Sequence, residues 1–91
     1  MAGFAVSLRV TGRVQGVWYR AWTKERAAAL GLTGWVRNCS DGAVEGVIAG
    51  PEDKVMEMIA ALRQGPPAAR VAAVDWARTE GFDGEGFEIR P

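Results

Sequence analysis

The apolar residues of this chain switch back and forth between a period of two and a period of about 3.6, and that succession restricts the possible folds more than any other feature. Phe4, Val6, Leu8 and Val10 alternate with Ala5, Ser7, Arg9 and Thr11, as in a strand with one apolar face. Gly12 ends that strand, and Gly16 punctuates the segment behind it. From Trp18 to Leu30 the composition turns helical, with Lys24, Glu25, Arg26 and neighbouring alanines as good formers. Tyr19, Thr23, Ala27 and Leu30 recur at helical spacing, and Gly31 stands where a C′ glycine belongs. Residues 33 to 39 and 43 to 49 read as two strands, carrying Trp35, Val36 and Cys39, then Val44, Val47 and Ile48. Ser40-Asp41-Gly42 between them contains the Asp-Gly pair of a hairpin turn.

A second helix opens at Gly50-Pro51-Glu52-Asp53, where proline suits the first turn and the carboxylates suit the positive dipole end. Val55, Met58, Ile59 and Leu62 form its apolar stripe, and Gly65-Pro66-Pro67 stops it. A strand follows from about Val71 to Thr79, with Ala72, Val74 and Trp76 expected on one face. Glu80 to Gly86 reads as a loop, and Phe87 and Ile89 alternate with Glu88 and Arg90 in a short last strand. The order β-α-β-β-α-β predicts an α+β fold of the ferredoxin-like, split βαβ type, an antiparallel sheet with two helices on one face. That fold hosts many activities and decides none of them.

Composition narrows the chemistry. At 91 residues and 48% apolar content the chain is expected to form a single domain, 1–91, without repeats or low-complexity tracts. Eleven basic residues balance eleven acidic ones, so the basic excess of a nucleic-acid binder is missing and no nucleic-acid partner is expected. With no histidine, Ser-His-Asp and Cys-His catalysis and His-bearing zinc sites are excluded. Cys39, the one cysteine, forms neither an intrachain disulfide nor a thiolate cluster, so neither metal nor cofactor is expected. The longest apolar run, Ala27 to Leu32, is far shorter than the ~20 residues of a membrane span, and Met1-Ala2-Gly3-Phe4 does not resemble a signal peptide. A cytoplasmic, membrane-free monomer is the expectation.

The stretch Gly12-Arg13-Val14-Gln15-Gly16-Val17-Trp18-Tyr19-Arg20 takes the chain from a strand straight into a helix. The N–H groups of a first helical turn lack intrahelical partners, and glycines let such a loop curl into an anion-binding nest. Arg20 adds a planar, permanently charged fork for two oxygens of one phosphate. The plainer reading is a tight turn with a solvated arginine. A Walker A loop is excluded, since Val17-Trp18 stands where Lys-Ser/Thr is required. A single phosphoryl group is the natural guest.

Asn38, near a strand end and on the face away from Trp35 and Arg37, is either a turn residue or a neutral amide holding water or a substrate oxygen. Cys39 lacks the arginine six positions on that a cysteine phosphatase needs, that position being Glu45. Asp41 lacks a second aspartate two residues on and reads as a turn residue. Glu52, Asp53 and Glu57 read as dipole partners, and Trp18, Trp22, Trp35 and Trp76 mostly as core or rim packing.

Together the two stretches resemble the acylphosphatase family. Its first signature, G-x-V-Q-G-V-x-[FY]-R, is met by Gly12 to Arg20, and its second, G-W-V-x-N-x-x-[DR]-G-x-V, by Gly34 to Val44. The resemblance extends over essentially the whole chain, with Trp18 and Tyr19 standing where phenylalanines are frequent. It implies hydrolysis of a small-molecule acyl phosphate to a carboxylate and inorganic phosphate. By that likeness Gln15, Gly16, Val17, Trp18, Tyr19 and Arg20 form the phosphate cradle, Arg20 binds the phosphate, and Asn38 orients the attacking water. Two other readings are a non-catalytic module binding phosphate or carbamoyl phosphate, and a ferredoxin-like RNA- or protein-interaction domain. An acyl phosphate hydrolysis assay and a salt-dependent RNA titration separate them.

Overall fold

The computed structural model describes residues 3–81 and 84–91; Met1, Ala2 and, within the loop expected over Glu80–Gly86, Phe82 and Asp83 lie outside the described residues. The elements are β1 (Phe4–Arg13), α1 (Tyr19–Ala29), β2 (Thr33–Asn38), β3 (Val44–Gly50), α2 (Glu52–Gln64), β4 (Arg70–Arg78) and β5 (Phe87–Arg90). They build one sheet of order β4-β1-β3-β2-β5. β1 pairs antiparallel with β3 and β4, and β2 pairs antiparallel with β3. This is the α+β, ferredoxin-like arrangement that the pattern of periods predicts. The short β5 adds a parallel strand beside β2, on the edge opposite β4.

Both helices cover the face carrying Val6, Leu8 and Val10. The α2 stripe of Val55, Met58, Ile59 and Leu62 is wholly buried there, each side chain contributing about 1.5–3 kcal/mol. Tyr19, Thr23 and Ala27 of α1 are buried too, with Leu30 packed beside them. The Tyr19 hydroxyl donates to the Leu62 carbonyl at 2.7 Å, tying α1 to α2. Gly31 closes α1 at φ 72°, and the Gly31 and Leu32 N–H groups reach the Ala28 and Ala27 carbonyls. That is a Schellman stop. Pro51 stands one residue ahead of the first turn of α2, and its carbonyl accepts from the Lys54 and Val55 N–H groups.

Two expectations of side-chain direction change. In β4 the register skips Ala72, because Gly12 pairs with Val71 while Thr11 pairs with Ala73. An extra residue on one strand reverses the alternation beyond it. Val71 therefore packs against the core, and Ala72 is exposed rather than sharing the Val74 face. Of the tryptophans, Trp22 packs on the core and Trp35 lies on the helix-free face beside the Arg37 and Arg90 guanidinium groups. Trp18 and Trp76 are exposed.

Candidate active site

The segment between β1 and α1 is held at its start by Val14, which is buried. Gly16 then turns at φ 73° and Trp18 at φ 67°, ψ 21°, so two residues of a short stretch are left-handed. Glycine adopts that region freely; for a bulky residue it costs about 1–2 kcal/mol. The curl leads directly into α1, whose N-cap position is Trp18. Among the described residues no side chain caps the helix, and its first turn holds no acidic residue. Its leading N–H groups and the positive end of its dipole thus have no internal anion.

Gln15 fixes this curl against the β2–β3 hairpin. Its Nε2 donates to the Cys39 carbonyl at 2.8 Å and to the Ala43 carbonyl at 2.9 Å. The hairpin is itself closed by Cys39 N–H to the Ala43 carbonyl at 2.8 Å and by Ala43 N–H to Asp41 Oδ1 at 3.1 Å. Asn38, the last residue of β2, sits beside these anchors, on the helix side of the sheet, as the alternation predicts. Its Oδ1 is buried and has no donor among the described residues. Leaving a buried acceptor unpaired costs about 1–3 kcal/mol, a cost that a donor from outside the fold would relieve.

A cavity of about 200 Å³ brings the two stretches together. Of the residues singled out in the sequence, Gln15, Gly16, Trp18, Tyr19, Arg20 and Asn38 line it. Val17 does not; its side chain packs partly against the core. The Tyr19 side chain is occupied with Leu62, which leaves its backbone for the cavity. Arg20 is half-buried and pairs with no carboxylate among the described residues. Val14, Ala21 and Ile89 also line the cavity and were not foreseen. Ile89 arrives through the parallel pairing of β5 with β2, which no local pattern signals.

The hollow of about 430 Å³ on the helix-free face, among Ser7, Arg9, Trp35, Glu45 and Asp75, is larger. Its floor is paired strand, so it offers no converging free N–H groups, and chemistry favours the smaller cavity. The Cys39 thiol is pushed up by burial and by Glu45, away from thiolate chemistry. The Asp41 carboxyl is held below the usual carboxylate range by the Ala43 N–H and then by Arg9, with which it pairs. Both residues serve the hairpin.

A family model described as acylphosphatase matches residues 6–89. An acylphosphatase of Rhizorhabdus wittichii is 57% identical over 84 residues, covering 92% of this chain and 85% of that protein. One from Syntrophotalea carbinolica is 49% identical over 92 residues, 99% of each chain. The solved structure of an acylphosphatase from Coxiella burnetii superposes with a TM-score of 0.93 at 38% identity, covering 98% of this chain and 94% of that one.

Proposed function

Because this chain belongs to the acylphosphatase family, whose reaction splits an acyl phosphate into a carboxylate and inorganic phosphate, we propose a division of labour among its residues. It is an acylphosphate phosphohydrolase. The backbone N–H groups from Gln15 to Arg20 and the Arg20 guanidinium hold the phosphoryl oxygens, and Asn38 Oδ1 accepts a hydrogen bond from the attacking water. The observation that carries this is the buried, undonated Asn38 Oδ1 on the wall of the same cavity as the uncapped start of α1.

The water oxygen forms a bond to phosphorus while the bond from phosphorus to the acyl oxygen breaks, its electron pair leaving on the carboxylate. The leaving acid is of the strength of Asp or Glu, with a pKa of ~3.9–4.3, so it departs at neutral pH without a general acid. A histidine-free site is therefore sufficient. The transition state is loose, and positioning and charge stabilisation carry most of the catalysis. Asn38 has no basic group and orients the water, whose proton passes to a phosphate oxygen of the substrate.

We further propose that catalysis is metal-independent, since the N–H groups and Arg20 already meet the developing charge. Among the described residues no three His, Cys, Asp or Glu side chains cluster as metal ligands. Residues 1–91 act as a single domain, a cytoplasmic monomer without a nucleic-acid partner. In support, the formal charge is zero, and among the described residues no helix is long and apolar enough to cross a membrane.

Hydrolysis of acetyl phosphate in EDTA by the parent and by Asn38→Ala tests the assignment. The parent stays active under chelation. The variant loses about 10²-fold or more in kcat, while inorganic phosphate inhibits it competitively as before. A folded Asn38→Ala enzyme turning over at the parent rate overturns the water-orienting role. Rescue of a chelated parent by magnesium or zinc overturns metal independence.

A further inference from the structure

Among the described residues, the two most exposed large apolar side chains, Trp18 at 58% and Ile89 at 40%, both border the cavity at the start of α1. They come from segments far apart in sequence, Trp18 from the N-cap of α1 and Ile89 from β5, and α1 packs against β5. Trp18 is also the one non-glycine residue with positive φ among those described. A bulky side chain in the left-handed region is an outlier, and such strain collects at functional sites. Burial would be a structural reason for the indole, yet the adjacent Tyr19 is the one that enters the core. The curl thus turns a large aromatic surface outward, at the rim of the cavity.

The polar groups there, the leading N–H groups, Arg20 and Asn38, are matched to a phosphoryl group and a water. Ligand pockets for whole small molecules are usually ~300–1,000 Å³, and this cavity holds about 200 Å³. An acyl group of more than a few carbons therefore extends to the rim, where the available surface is apolar.

Resting on the phosphate reading above, we propose that Trp18 and Ile89 form the acyl subsite and make the enzyme selective for acyl phosphates with flat, apolar, above all aromatic, acyl groups. The indole offers a face for offset stacking and Ile89 an aliphatic second wall. Short acyl groups reach neither, and apolar contacts of this size discriminate by about 10-fold or more.

The test compares kcat/KM for benzoyl phosphate and acetyl phosphate in the parent, Trp18→Gly and Ile89→Ala. Glycine is chosen at position 18 because it adopts the left-handed conformation without strain. We expect the parent to favour benzoyl phosphate by about 10-fold, and the ratio to fall toward unity in Trp18→Gly and partway in Ile89→Ala, through KM. Should Trp18→Gly not fold, Ile89→Ala decides alone. A parent that cleaves both acyl phosphates at a ratio neither variant alters overturns the acyl subsite and leaves the phosphate site standing. An unaltered ratio together with a parent dimer that the substitutions dissociate makes the pair a self-association surface and likewise overturns it. A parent that cleaves neither compound overturns the site reading and this inference together.

Discussion

Two side chains in successive positions have opposite fates. Arg20 is half-buried at the cavity with no ion pair among the described residues, so its charge is available to a ligand. Arg20→Lys keeps the charge and loses the fork. We expect phosphate affinity and kcat both to fall by at least 10-fold with the fold retained; near-parent kinetics would make Arg20 a surface residue. Tyr19 is buried, and burial pushes its hydroxyl well above the usual phenol range. The folded state therefore keeps a proton that the unfolded state releases near pH ~10, so this contribution is complete below that pH and is lost as the pH rises beyond it. As the chain has 1 tyrosine, phenolate absorbance reports this residue alone. We expect that signal to appear only together with unfolding, and a phenolate forming near pH 10 in folded protein would contradict the burial argument. Arg20 and Asn38 were readable as candidates because each has a local oddity: a fork just inside a helix, an amide in a strand. The Gln15 side chain was not, since its partners Cys39 and Ala43 lie across the fold.

At the scale of elements, the glycines flanking the start of the loop do different work. A Cβ on Gly12, at φ 116°, would lie 2.2 Å from the Arg70 carbonyl oxygen and 2.6 Å from the Ala72 nitrogen. On Gly16, at φ 73°, it would meet nothing within 4 Å. Gly12→Ala therefore has to force β1 and β4 apart at the bulge, and we expect a loss of about 3–5 kcal/mol in denaturant unfolding. Gly16→Ala carries only the backbone strain, about 1–2 kcal/mol, and its penalty falls on phosphate affinity instead. Equal unfolding midpoints for the two variants would refute the distinction. The elements were legible because each has a clean period and a stop signal such as Gly31 or Gly65-Pro66. The reversal at Ala72 and the direction of β5 were not, because a bulge and a parallel partner are properties of two strands at once.

For the molecule as a whole, the proposed cradle would link phosphate to the fold. A ligand that binds the native cradle and not the unfolded chain stabilises by about 2.7 kcal/mol at a hundred times its Kd. In a domain of this size that corresponds to a rise in Tm of roughly 11–22 °C. We expect Asn38→Ala to keep this rise and Arg20→Lys to diminish it, as scanning calorimetry in inorganic phosphate would register. No rise in the parent would count against the loop as an anion site. The order of the sheet bears on how such a site comes into being. Among the described residues only β2 and β3 pair across a short hairpin, whereas β1 with β3, β1 with β4, and β2 with β5 each join segments distant along the chain. Chains dominated by such pairings fold slowly, because loop closure precedes its reward. The cavity wall made by the curl after β1 meets the wall made by the end of β2 only once β1 and β3 have found each other. On dilution from denaturant, helical content is thus an early clock and enzymatic turnover a late one, each timing a different stage of the same search.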